Sequence, residues 1–132
     1  MKYLIDSDIL SYIVSGDETA VGNYRAHRDD ELCISPITTL EQYFGMEHPD
    51  FDEVAGMRIM KLMEKLTPVP FDERAGRQAG LVRAALNSPK RNATSLDILL
   101  AGQALALGAV LVTNNEKDFE KIPGLRIENW SK

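Results

Sequence analysis

The stretch Lys2-Tyr3-Leu4-Ile5-Asp6-Ser7-Asp8-Ile9-Leu10 decides the fold class of this chain. Tyr3-Leu4-Ile5 is a short unbroken apolar run, the pattern of a strand covered on both faces. From Ser7 the period changes: Ile9, Leu10, Ile13 and Val14 recur at helical spacing up to Ser15. A strand over residues 2–5 therefore passes directly into a helix, and the two acids Asp6 and Asp8 stand at the changeover.

The same alternation continues along the chain. A helix is expected over residues 17–27, a strand over 32–35 and a helix over 36–46, with Ser35 as cap and Pro36 in the first turn. Residues 51–66 carry Val54, Met57, Ile59, Met60, Leu62, Met63 and Leu66, apolar enough for more than one face. Their expected role is core, with part available for a dimer or partner groove. A short strand at 69–71 precedes a helix capped by Asp72 and running to about Asn87, and residues 88–93 read as a polar loop. Thr94-Ser95-Leu96-Asp97 matches a capping box, and its helix runs to Leu107, where Gly108 stops it. Strands at 109–113 and 125–127 complete the pattern. Strands alternating with helices predict an α/β fold, a central mostly parallel sheet covered on both faces. At 132 residues the chain is expected to be a single domain, 1–132.

In such sheets ligands bind beyond the carboxyl ends of the strands. Asp6, Asp8 and Asp118 directly follow strand ends, and Glu41 sits early in the helix after the second strand. Asp97 opens the helix that leads back into strand 109–113, which returns its first turn to the same edge. Each acid alone has an ordinary explanation. Asp6 or Ser7 can cap the first helix, Asp97 can complete its capping box, Asp118 can open a turn, and Glu41 can be a solvated helix residue. Together they are costly, because converging carboxylates repel one another unless a cation stands among them. An acidic cluster without histidine or cysteine suits a hard cation such as Mg2+, and through it phosphate chemistry.

Composition removes other classes. No zinc spacing involves His27 or His48, which are expected at the surface, and no Gly-rich phosphate loop or serine or cysteine nucleophile motif occurs. Cys33 is the lone cysteine, so it forms no internal disulfide and is expected to be a buried thiol. The net charge of −5 argues against a general nucleic-acid coat, yet discounting Asp6, Glu41, Asp97 and Asp118 leaves −1. The site itself carries most of the excess. An acid arrives too early at the N-terminus for a signal peptide and no apolar stretch is long enough to span a membrane, so a cytoplasmic protein is expected.

Four blocks carry a family resemblance: Tyr3-Leu4-Ile5-Asp6-Ser7-Asp8, Ile34-Ser35-Pro36-Ile37-Thr38-Thr39-Leu40-Glu41, Thr94-Ser95-Leu96-Asp97-Ile98-Leu99-Leu100-Ala101, and Leu111-Val112-Thr113-Asn114-Asn115-Glu116-Lys117-Asp118-Phe119, followed by Pro123-Gly124-Leu125 and Asn129-Trp130. In this order they resemble the PIN domain, and within it the VapC-like ribonuclease toxins of toxin-antitoxin pairs. The resemblance implies a three-layer α/β/α sandwich and a Mg2+- or Mn2+-dependent endoribonuclease, often a homodimer, restrained by a cognate antitoxin. It implies Asp6 and Asp97 as metal ligands, with Glu41 and the 113–118 segment completing the acidic site and Asp8 and Thr113 in support. Two positions depart from the family pattern. Asp8 stands where Asn is common, and Asn115 stands where a fourth acid is common, which leaves Asn115 and Asp118 both open for that place. Lys90 and Arg91 are candidate RNA-backbone contacts.

Two other readings fit the acids less well. A haloacid dehalogenase-type phosphatase also places Asp-x-Asp after its first strand, but expects Gly and Thr where Ile9 and Leu10 follow. A non-catalytic, receiver-like metal-binding module needs an acid after its third strand, where only Asp72 is at hand.

Overall fold

The computed structural model describes residues 1–86 and 94–132. The expected 88–93 loop, with Lys90 and Arg91, and the expected helix end at Asn87 lie outside the described residues. Strands β1 (Lys2–Ile5), β2 (Glu31–Ile34), β3 (Thr67–Pro68), β4 (Val110–Val112) and β5 (Ile127–Glu128) form one sheet in the order β3-β2-β1-β4-β5. Every pairing is parallel.

Residue alternation on the central strands builds two cores. Tyr3 and Ile5, Leu32 and Ile34, and Val110 and Val112 point to one face, where they pack with Ile9, Leu10, Leu62, Leu66 and Trp130. Leu4, Cys33 and Leu111 point to the other, against Val82, Leu86, Leu100, Ala101, Ala104, Phe119 and Ile122. Both faces of the sheet are thus covered, which is why its strands are apolar throughout instead of alternating. Helices α1 (Ser7–Ser15), α2 (Glu18–Ala26) and α4 (Glu53–Glu64) lie on the first side, and α5 (Glu73–Ala85), α6 (Ser95–Leu107) and the short α7 (Glu116–Phe119) on the second. Helix α3 (Pro36–Met46) connects β2 to α4, and the chain has the expected three layers.

Several expectations shift. The third strand lies at Thr67–Pro68, before the apolar run at 69–71. Val69 still donates its N–H to Ile34 O at 3.0 Å, but the chain then turns away toward Asp72, so pairing ends where the run begins. The last strand likewise falls at Ile127–Glu128, later than 125–127. Helix α4 begins after Asp52, whose carboxylate accepts from Val54 N and Ala55 N. Its apolar residues divide: Ile59 and Leu62 are buried, whereas Val54, Met57 and Met60 are exposed. His48 is exposed as expected. His27 is not a free surface residue: its ring stacks on Trp130 at 4.6 Å and meets the edge of Tyr3 at 4.8 Å.

The position of α6 depends on one close approach. A Cβ on Gly102 would come within 2.5 Å of the Ala79 backbone, so only glycine lets α5 and α6 pack this tightly. Thr94 and Asp97 form the expected capping box at the start of α6, and Gly108 ends the helix with φ of 65°.

Candidate active site

The strand order reverses direction at β1, whose neighbours β2 and β4 lead to opposite edges. Such a switch point leaves a crevice at the carboxyl ends of the strands. Asp6 sits at its floor, 8% exposed. Its N–H is held by Val112 O at 2.8 Å, which keeps the residue in the sheet ladder while α1 begins. Its carboxylate accepts from Ser7 N at 2.7 Å and from the Thr113 hydroxyl at 2.8 Å. Thr113 is itself fully buried, and its Oγ1 accepts from Asn115 N at 3.0 Å. Asp6 and Thr113, far apart in sequence, are thus joined by the pairing of β1 with β4.

Glu41 reaches the crevice on α3. Two polar side chains that the sequence reading did not single out fix this helix. Thr38 Oγ1 donates to Ile5 O at 3.4 Å, and Gln42 Nε2 donates to Ser7 O at 2.8 Å and Ser7 Oγ at 2.7 Å. Both side chains are buried. They tie α3 to the β1–α1 junction, so Glu41 and Asp6 are set by one network. The available signal was Thr38 and Gln42 one turn apart, on the same side of the helix that carries Glu41.

Charge links the acids. Burial pushes the Asp6 pKa up from 3.8 to about 7, helped by the nearby carboxylates of Asp8 and Glu41 and opposed by the Thr113 and Ser7 hydrogen bonds. Asp8 is raised by burial and by Asp97, against the pull of the Asn114, Ile9 and Asp8 backbone N–H groups. Glu41 is raised by burial, then by Asp97 and Asp8. Asp6, Asp8, Glu41 and Asp97 therefore share one electrostatic neighbourhood, and among the described residues the charges acting on the first three are all carboxylates. Asp97 keeps its structural task as well: its carboxylate accepts from Thr94 N at 3.0 Å.

Asp118 stands apart. It accepts a hydrogen bond from the Asn115 carboxamide and is not among the charges that shift Asp6, Asp8 or Glu41. Asn115 and Asp118 thus form a local pair on the rim, while the four inner acids form the cluster.

The donor chemistry suits a hard divalent cation. All four groups are oxygen donors, and Asp8 Oδ1 is buried with no hydrogen-bond partner among the described residues. Among the described residues no three acids already stand in a coordinating arrangement. An ion that takes one or two protein carboxylates and keeps several waters does not need three.

A sequence profile of the PIN domain matches residues 3–125. The chain belongs to the PIN domain family. This PIN domain is 28% identical over 131 residues to a tRNA(fMet)-specific endonuclease VapC of Shigella flexneri, covering 99% of both chains. It is also 28% identical over 130 residues to Ribonuclease VapC2 of Haemophilus influenzae, covering 98% of both. Among solved structures it superposes on VapBC2 from Rickettsia felis bound to a promoter DNA fragment, with a TM-score of 0.88, 26% identity, and 98% and 99% of the two chains covered. The family places this PIN domain among nucleases and sets aside the dehalogenase-type and receiver-like readings. No helix of the described residues is long and apolar enough to cross a membrane.

Proposed function

We propose that the chain is a divalent-metal-dependent endoribonuclease, the toxin of a toxin-antitoxin pair, with Mg2+ or Mn2+ as its ion. The observation that carries this reading is the gathering of Asp6, Asp8, Glu41 and Asp97 at the switch point of the sheet, where burial and the neighbouring carboxylates raise Asp6, Asp8 and Glu41, with Asp6 brought to a pKa of about 7. Family membership and the ribonuclease names of its relatives supply the reaction class.

Asp6 and Asp97 are the proposed metal ligands, and Asp8 adds charge beside them. When bound, the ion supplies neutralising charge for the scissile phosphate and lowers the pKa of an attacking water. Thr113 orients Asp6 by donating to one of its oxygens. Glu41, whose raised pKa keeps it closer to proton-accepting range than an ordinary glutamate, takes the proton of the attacking water. The water oxygen bonds to phosphorus, the bond to the 3′ oxygen breaks, and that oxygen takes a proton from solvent water as it leaves, so the products are a 5′-phosphate and a 3′-hydroxyl. Asn115 and Asp118 border the RNA path on the rim.

The partner is a cognate antitoxin, as in the VapBC complexes of Rickettsia felis and Salmonella typhimurium. Exposed Leu40, Tyr43 and Phe44 on α3 and Val54, Met57 and Met60 on α4 are the apolar side chains offered to it. A homodimer of one-domain protomers acting in the cytoplasm completes the reading. The test is a cleavage assay on structured RNA with purified protein. Cleavage with Mg2+ or Mn2+, its loss in chelator, and products carrying 5′-phosphates support the proposal, whereas cutting that continues in chelator refutes it.

A further inference from the structure

Resting on the nuclease reading, a second set of contacts reaches the acidic cluster from the C-terminal tail. The residues directly after β4 link the tail to the site. Thr113 Oγ1 donates to Asp6 and itself accepts from Asn115 N, so the connection carrying Asn114 is tied to the Asp6 carboxylate. The Asn114 side chain is exposed and belongs to a short connection between β4 and α7, so nothing in its own burial holds it.

It is held from outside. Asn129 Nδ2 donates to Asn114 Oδ1 at 3.3 Å and to Glu116 Oε2 at 3.2 Å, which uses both protons of one carboxamide to grip the two residues flanking Asn115. Ser131 Oγ lies 2.9 Å from Asn114 Oδ1 and 2.6 Å from Asn129 Oδ1, with a single proton to give to one of them, and Ser131 N donates to Asn129 Oδ1 at 3.0 Å. Between these two residues Trp130 is 2% exposed. Its indole stacks on His27, leans on Tyr3 with ring centroids 5.5 Å apart, and donates Nε1–H to Glu128 Oε1 at 3.0 Å. Asn23 Nδ2 donates to Trp130 O at 3.0 Å. The tryptophan thus fixes the backbone from which Asn129 and Ser131 reach the 113–116 connection.

We propose that Asn129 is a positioning residue of the active site: by clamping Asn114 and Glu116 it holds the connection whose Thr113 hydroxyl orients the Asp6 carboxylate toward the cation. It touches neither substrate nor ion. Groups that orient metal ligands from behind typically matter by 10–100-fold in metal affinity or activity.

The test uses the full chain, free of metal and then titrated with Mn2+. Asn129→Ala is expected to weaken Mn2+ binding by roughly 10-fold and to lower RNA cleavage comparably. Amide hydrogen exchange across residues 113–116 should quicken before any metal is added, with the thermal midpoint of the rest of the fold close to that of the unaltered chain. Ser131→Ala, which removes the other contact on Asn114, should shift Mn2+ affinity in the same direction by less and serves if Asn129→Ala does not fold. Lys132→Ala removes only the 3.1 Å contact to Glu116 and should leave Mn2+ affinity unchanged. Asn129→Ala or Ser131→Ala binding Mn2+ as tightly as the unaltered chain overturns the positioning role while leaving the nuclease reading intact, as does a Lys132→Ala loss equal to that of Asn129→Ala. An unaltered chain that binds no Mn2+ and cuts no RNA overturns both.

Discussion

At the scale of single residues, Asp6 combines two tasks that pull in opposite directions. Its carboxylate ends the first strand, accepting from Ser7 N and Thr113 Oγ1, and those bonds favour its charged form. Burial and the neighbouring acids outweigh them. A bound cation resolves the conflict by restoring the charged carboxylate. Asp6→Asn keeps the shape and the Ser7 contact but removes the charge, and is expected to lower metal-dependent cleavage by about 100-fold or more, beyond the usual cost of losing a group behind a metal ligand. Asp97→Asn should act similarly. Asp118→Asn, on the rim and outside the coupled set, should cost under about 10-fold in the same initial-rate assay. Equal losses at Asp118 and Asp97 would show that the rim acid belongs to the ion's own shell.

At the scale of elements, the position of Asp97 follows from how closely α6 lies on α5. Gly102→Ala pushes a methyl group into the Ala79 backbone and is expected to cost about 1–3 kcal/mol despite the better helix propensity of alanine. Gly22→Ala on α2 meets nothing within 4 Å and should instead stabilise by up to ~1 kcal/mol. Urea unfolding of the two variants distinguishes packing from propensity, and a stabilised Gly102→Ala would mean the two helices are not locked at this crossing. The elements themselves were readable wherever a local pattern determined them. Tyr3-Leu4-Ile5 and Val110-Leu111-Val112 have no polar face to show, and Thr94 with Asp97 spells its own cap. The edge strands were misplaced because they are two-residue pairings decided by the neighbouring strand, so the apolar Val69 and Leu125 drew the reading away from Thr67–Pro68 and Ile127–Glu128. The four inner acids were readable from their places after strands and at a helix start. Gln42, Asn114 and Asn129 were not, since a buried amide and a solvated one look alike until the fold says which elements meet.

At the scale of the whole molecule, the acidic cluster is a local cost to folding that the rest of the chain offsets. Around pH 4 the unfolded Asp6 gives up its proton while the folded one keeps it until about pH 7, so folding stability declines as pH rises through that interval. Asp8 and Glu41 are shifted the same way and add to the trend. In chelator, calorimetry should therefore find a higher melting midpoint at pH 5 than at pH 8, a difference that shrinks in Asp6→Asn. A midpoint that rises from pH 5 to pH 8 would contradict the sign of these shifts. Added Mg2+ should raise the midpoint more at pH 8, where the carboxylates are ready to bind it, than at pH 5. The overall charge of −5 fits the same picture, because bound cations turn the most acidic part of the surface into the part that accepts a phosphate. The most direct measurement is the anomalous difference density of crystals soaked in Mn2+. A peak in the crevice within coordinating reach of Asp6 and Asp97, lost in Asp6→Asn, is the predicted result; Mn2+ bound elsewhere, with that crevice empty under conditions where RNA is cut, would contradict the assignment of the four acids as the metal centre.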